Sequence, residues 1–86
     1  MQIKYSKTAL KFLYSLDKKS VERIRYGIQG LTQNPPVGDI KPMQGVKGGQ
    51  MRLRIGAWRI IYKYTNANDT EELVVIDIGN RGDIYK

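Results

Sequence analysis

Hydrophobic positions open the chain in weak alternation over "MQIKY", which predicts a short first strand. From Ser6, a residue type suited to an N-cap, Ala9, Phe12, Leu13 and Leu16 recur at helical spacing and predict a first helix of roughly three turns. Lys7, Lys11 and Lys18 fall on its other face. Asp17 or Ser20 suits the start of a second helix, in which Val21, Ile24, Ile28 and Leu31 share one face. That helix ends at "TQNPP", because the residue before a proline is driven out of the helical region. So few residues separate the two helices that they should form an antiparallel pair. Gly27 and Gly30 cost the second helix about 1 kcal/mol each relative to alanine, which leaves room for a close-packing role.

The next stretch, "NPPVGDIKPMQGVKGGQ", holds three prolines and four glycines in seventeen residues and is expected to be a long loop of the kind that often carries function. The period then becomes two. Residues 51 to 55, 58 to about 65 and about 72 to 78 alternate as strands, with "GA" at 56 and 57 and "NANDT" at 66 to 70 as hairpin turns. The expected fold is therefore an α+β two-layer domain: the N-terminal strand, an antiparallel helix pair laid on one sheet face, and a three-stranded antiparallel meander. The 86 residues leave room for a single domain, 1–86, with one small core.

Alternation also sorts the side chains of the meander. Met51, Leu53 and Ile55 point one way, Arg52 and Arg54 the other; Trp58, Ile60, Tyr62 and Tyr64 oppose Arg59, Ile61 and Lys63. One face is core and the other is basic. A solvated sheet face, arginines paired with acids such as Glu71, Glu72 and Asp77, and a surface that grips phosphate all fit this pattern.

Composition narrows the chemistry. The chain has no cysteine and no histidine, so a disulfide framework is excluded and a catalytic transition metal is not expected. The first sixteen residues carry lysines and no long apolar run, so neither a signal peptide nor a membrane span is expected and the cytoplasm is the default location. A net charge of +7 draws polyanions, nucleic acid or acidic protein. Without His–Asp or paired-carboxylate machinery, arginine, lysine and tyrosine remain, and these suit transfer at a phosphodiester, where preorganised cations stabilise charge gathering on phosphate. In RNA the 2′-hydroxyl beside the scissile phosphate supplies the nucleophile. In a meander the end of the third strand lies beside the start of the second, so Arg81 in the tail "DIGNRGDIYK" can approach Arg59. Tyr85 then either stacks on a base, bonds a phosphate or packs on the sheet edge.

The succession of "DIKPMQG", a glycine-rich gap, "MRLRIGAWRIIYKY", an acidic hairpin and "IGNRGDIY" resembles the RelE branch of the RelE/ParE toxin superfamily, over essentially the whole chain. The resemblance implies a toxin of a type II toxin–antitoxin pair, held by a cognate antitoxin and reaching operator DNA only through that complex. It implies metal-independent, cofactor-free cleavage of messenger RNA in the ribosomal A site by 2′-hydroxyl attack. Arg59 matches the phosphate-stabilising arginine, Arg81 the arginine serving the leaving group, and Tyr85 the nucleotide-orienting tyrosine. Arg52 stands at the position of a basic residue proposed as general base, although arginine keeps its proton. Lys41, Lys47, Arg54, Lys63 and Lys86 complete the expected RNA-binding set. Asn80 replaces a Lys or His of many relatives, and the sequence closes on Lys86 where several continue into a further helix. Two other readings fit the superfamily: a ParE-like inhibitor of DNA gyrase without nuclease activity, and an inactive, antitoxin-bound co-repressor.

Overall fold

The computed structural model describes residues 1–43 and 49–80. Its order is β1 (Gln2–Tyr5), α1 (Lys7–Tyr14), α2 (Lys18–Gly30), β2 (Asp39–Pro42), β3 (Met51–Ile55), β4 (Trp58–Ala67) and β5 (Thr70–Asn80). The strands form one sheet in the order β1-β5-β4-β3-β2, in which β1 runs parallel to β5 and every other pair is antiparallel. Both helices lie on one face, so the α+β two-layer architecture expected from the sequence is the one observed.

Local chemistry fixes the elements. Ser6 caps α1 by accepting from the Ala9 amide at 3.0 Å, and its hydroxyl donates to the Ile76 carbonyl at 2.5 Å. Ile76 is the extra residue of a bulge in β5, since Ile61 faces Asp77 whereas Tyr62 faces Val75. The bulge shifts the phase of β5, and as a result both Val75 and Ile78 reach the core. Asp17 precedes α2 in extended conformation, and Leu31 closes that helix. Ile24, Ile28 and Leu31 of this region pack with Ala9 and Leu13 against Leu53, Ile60, Tyr62, Leu73, Val75 and Ile78. The Tyr64 hydroxyl donates to the Leu31 carbonyl at 2.8 Å and so ties β4 to the end of α2. At Gly30 a Cβ would stand 2.9 Å from the Val37 carbonyl oxygen, which gives this glycine the close-packing use its position suggested.

Three sequence expectations are corrected. The first helix has eight residues, about two turns rather than three, because the Ser15 hydroxyl takes the Phe12 carbonyl at 2.6 Å and ends it. The loop between α2 and β3 contains a strand, β2, whose single apolar residue Ile40 gives no period to read and whose Pro42 suits an edge. The second hairpin turns on Asn68 and Asp69 alone, both left-handed at φ 52° and 62°, so β4 and β5 are longer than expected.

Burial of the Tyr62 phenol, assisted by nearby Tyr64, pushes its pKa from 10.0 up to about 12. Below pH 10 both folded and unfolded chains keep the proton. Between about pH 10 and 12 the unfolded chain releases it first, so stability falls there, by about 3 kcal/mol across the window. Burial raises the Tyr64 and Tyr5 phenols as well. The part of the tyrosinate absorbance that belongs to the buried phenols should therefore appear together with loss of helical circular dichroism in that window; ionisation of all six tyrosines in a still folded protein would contradict this packing.

Candidate functional site

The sheet face away from the helices carries the cations. Asp39, Arg54, Arg59 and Gly79 oppose one another in a row across β2, β3, β4 and β5; Lys41, Arg52, Ile61 and Asp77 form the next row. Lys63 follows on β4, opposite Val74. Lys41 and Arg54 are exposed, Arg59 and Lys63 are half-buried, and Arg52 is buried. The sheet thus gathers Lys41, Arg52, Arg54, Arg59 and Lys63 of the sequence-predicted set on one surface. Arg81, Tyr85, Lys86 and Lys47 lie outside the described residues.

What positions these side chains is the alternation of two strands whose opposite faces are core. Leu53 lies between Arg52 and Arg54 and is 1% exposed; Ile60 follows Arg59 and is fully buried. Neither strand can slip by one residue without exchanging its core row for its cationic row. The Nε atom of Arg59 is itself shielded from solvent, which places that cation in a medium where its field is less screened than in water.

Arg52 and Arg54 do pair with an acid, but none of those the sequence pointed to. Asp39 Oδ2 stands 3.1 Å from Arg54 Nε, and Asp39 Oδ1 stands 3.6 Å from Arg52 Nη2. Glu72 is instead engaged by Lys4 at 3.0 Å, at the other end of the same face. The Arg54 pair is open to water and contributes about 0–1 kcal/mol. The Arg52 side chain is only 7% exposed, and a buried guanidinium needs its counter-ion more. Asp39 had one signal in the sequence, the charged–apolar–charged alternation of "DIK", too short to stand out among prolines and glycines.

At the end of β5, Asn80 opposes Trp58 and Gly79 opposes Arg59. Strand β5 is therefore described up to the residue after the partner of Arg59, and the expected approach of Arg81 to Arg59 lies outside the described residues. Arg23 of α2 lies over the Trp58 ring, 5.6 Å from its centroid, and its guanidinium lines the space beside Gly56 in the β3–β4 turn. This cation–π contact braces the hairpin that carries Arg54 and Arg59; nothing in the helix pattern singled Arg23 out. Among the described residues no three of His, Cys, Asp or Glu come together as metal ligands. None of their helices is long and apolar enough to cross a membrane. A surface of five guanidinium and ammonium groups around two carboxylates, Asp39 and Asp77, is suited to holding phosphate.

Comparison with known proteins gives the same frame. A family model described as the ParE toxin of the type II toxin–antitoxin system parDE matches residues 3–85. A chain of the archaeal RelE–RelB complex from Pyrococcus horikoshii is 25% identical with a TM-score of 0.70, over 95% of this chain and 96% of that one. A chain of the RelB–RelE antitoxin–toxin complex from Methanococcus jannaschii is likewise 25% identical, with a TM-score of 0.69 over 95% and 94%. The YoeB/ParE toxin from Agrobacterium tumefaciens, 21% identical with a TM-score of 0.75 over 93% and 98%, shares the fold. No curated protein matches the sequence.

Proposed function

The chain belongs to the ParE toxin family, within the RelE/ParE superfamily of type II toxin–antitoxin toxins, and from the cations gathered on its sheet we propose that it is the RelE-like kind, a ribosome-dependent messenger RNA endoribonuclease. The observation that carries the reading is the direct opposition of Arg54 and Arg59 across β3 and β4, with Arg52, Lys41 and Lys63 on the same face. Like charges set opposite each other destabilise a sheet; Asp39 offsets part of this at Arg54, and the excess of cations that remains on the face supports a use in binding an anion.

In the proposed reaction the 2′-oxygen of the message attacks the adjacent phosphorus, the bond from phosphorus to the 5′-oxygen breaks, and the products are a 2′,3′-cyclic phosphate and a 5′-hydroxyl. Arg59 stabilises the charge that develops on the non-bridging oxygens. Arg81 serves the leaving oxygen and Tyr85 holds the nucleotide in line. Arg52, buried in this face, adds positive potential, and a guanidinium does not serve as a base. Arg54 and the lysines track the backbone of the RNA. A cognate antitoxin restrains the toxin in the cytoplasm, and operator DNA is met only through that complex.

The family match itself favours a second reading, a ParE-like inhibitor of DNA gyrase. Induction without antitoxin separates the two. The nuclease reading expects 5′ ends within codons of a translated message, reduced about a hundredfold in Arg81→Ala. Intact transcripts with an induced DNA-damage response would establish the gyrase reading instead.

A further inference from the structure

Asp39 is the acid that faces both arginines of β3, and it sits in the row that holds Arg54 and Arg59. Its two oxygens are divided: Oδ2 accepts from Arg54 Nε at 3.1 Å, and Oδ1 faces Arg52 Nη2 at 3.6 Å. The backbone holds the carboxylate there, because β2 is paired with β3 from Asp39 to Pro42 and the ladder is continued by the Met43 amide donating to the Gln50 carbonyl at 3.1 Å. Asp39 thus performs two tasks. It supplies the counter-charge that lets guanidinium groups crowd on one face, and by taking the Nε edge of Arg54 it leaves the Nη groups as the donors offered to another anion.

We propose that Asp39 is a positioning residue of the phosphate-gripping surface, setting Arg52 and Arg54 for catalysis without touching RNA; the proposal rests on the nuclease reading given above. Its charge and its geometric role act in opposite directions. Removing a carboxylate from a basic face strengthens attraction to any polyanion and steepens its salt dependence. Removing the partner of Arg54 Nε releases a long side chain from a fixed orientation, and misplaced groups lose rate far more than they lose binding.

The test compares wild type, Asp39→Asn, Asp39→Glu, Arg54→Ala and the Asp39→Asn/Arg54→Ala double variant on programmed ribosomes. A 2′-deoxy-substituted RNA that cannot be cut serves as the binding probe, and Tm checks the fold. Asp39→Asn is expected to bind the probe about two- to threefold more tightly at low salt while its kcat falls about tenfold. Asp39→Glu should recover part of that rate, and Asp39→Asn should cost less in the Arg54→Ala background than in wild type, because only its effect through Arg52 is left there. Wild-type cleavage kinetics in Asp39→Asn would overturn the proposal alone. So would parallel losses of Tm, binding and rate, the pattern of a fold defect. A wild-type protein that leaves translated messages whole would remove the nuclease reading, and this proposal with it.

Discussion

Arg59→Ala is expected to lower the rate of message cleavage by about 10²–10³-fold, the usual cost of removing one preorganised group that stabilises charge in a transition state. The structure makes this cation the best placed of the described set. It sits mid-sheet between Arg54 and Gly79, half-buried, with its Nε out of solvent, and the next residue is the fully buried Ile60. The arginine therefore needs little reorganisation as charge gathers on the phosphate. Truncation also relieves the repulsion between Arg59 and Arg54, so Tm should stay within a few degrees of wild type and the antitoxin should still co-purify. Arg59→Lys should recover only part of the rate, since lysine offers a point charge in place of a planar fork. Lys63→Ala, two residues along the same strand, should cost several-fold in affinity at low salt and little in kcat. Single-turnover cleavage on programmed ribosomes measures all three. An Arg59→Ala protein that cuts at the wild-type rate would remove the nuclease assignment from this face.

How much of this was legible in the sequence depends on whether a feature repeats. The β3 and β4 faces were readable because five to seven consecutive residues alternate without a break, and the register confirms the partition residue by residue. The pairing of Arg59 with Gly79 near the end of β5 followed from hairpin geometry alone. The bulge at Ile76 was not readable, because "ELVVIDI" is apolar in both phases and only the Ser6 bond to its carbonyl shows which residue is extra. Leu16 misled for a related reason: it continues the helical spacing and packs against the core, yet lies beyond the end of α1. Spacing reports the face a residue serves, not the backbone that delivers it there. Asp39 was missed because an edge strand of four residues shows its purpose only through its partner. The proposed roles of Arg81 and Tyr85, which lie outside the described residues, rest on the resemblance.

Ile60→Ala is expected to destabilise the fold by about 2–5 kcal/mol, the range for truncating a fully buried isoleucine. Ile60 has no exposed surface and stands between Leu53 and Ile78 in the sheet, within the core cluster that also holds Ile24 and Ile28 of α2. A chain of 86 residues has one thin core, and total stabilities run about 5–15 kcal/mol, so this loss takes a large part of the margin. Ile60→Val, which removes one methyl group, should cost about 0.5–1.5 kcal/mol. Urea denaturation should show a lowered midpoint for both, in that order, with an unchanged slope. The substitution also separates two routes to an inactive protein. Arg59→Ala should be folded and silent, whereas Ile60→Ala should regain cleavage when stabilised by osmolyte, because its cations keep their places whenever the sheet forms. Failure of Ile60→Ala to lower the midpoint would contradict the core described here, and a folded Ile60→Ala without cleavage would mean that packing beneath Arg59 tunes the site as well as supporting it.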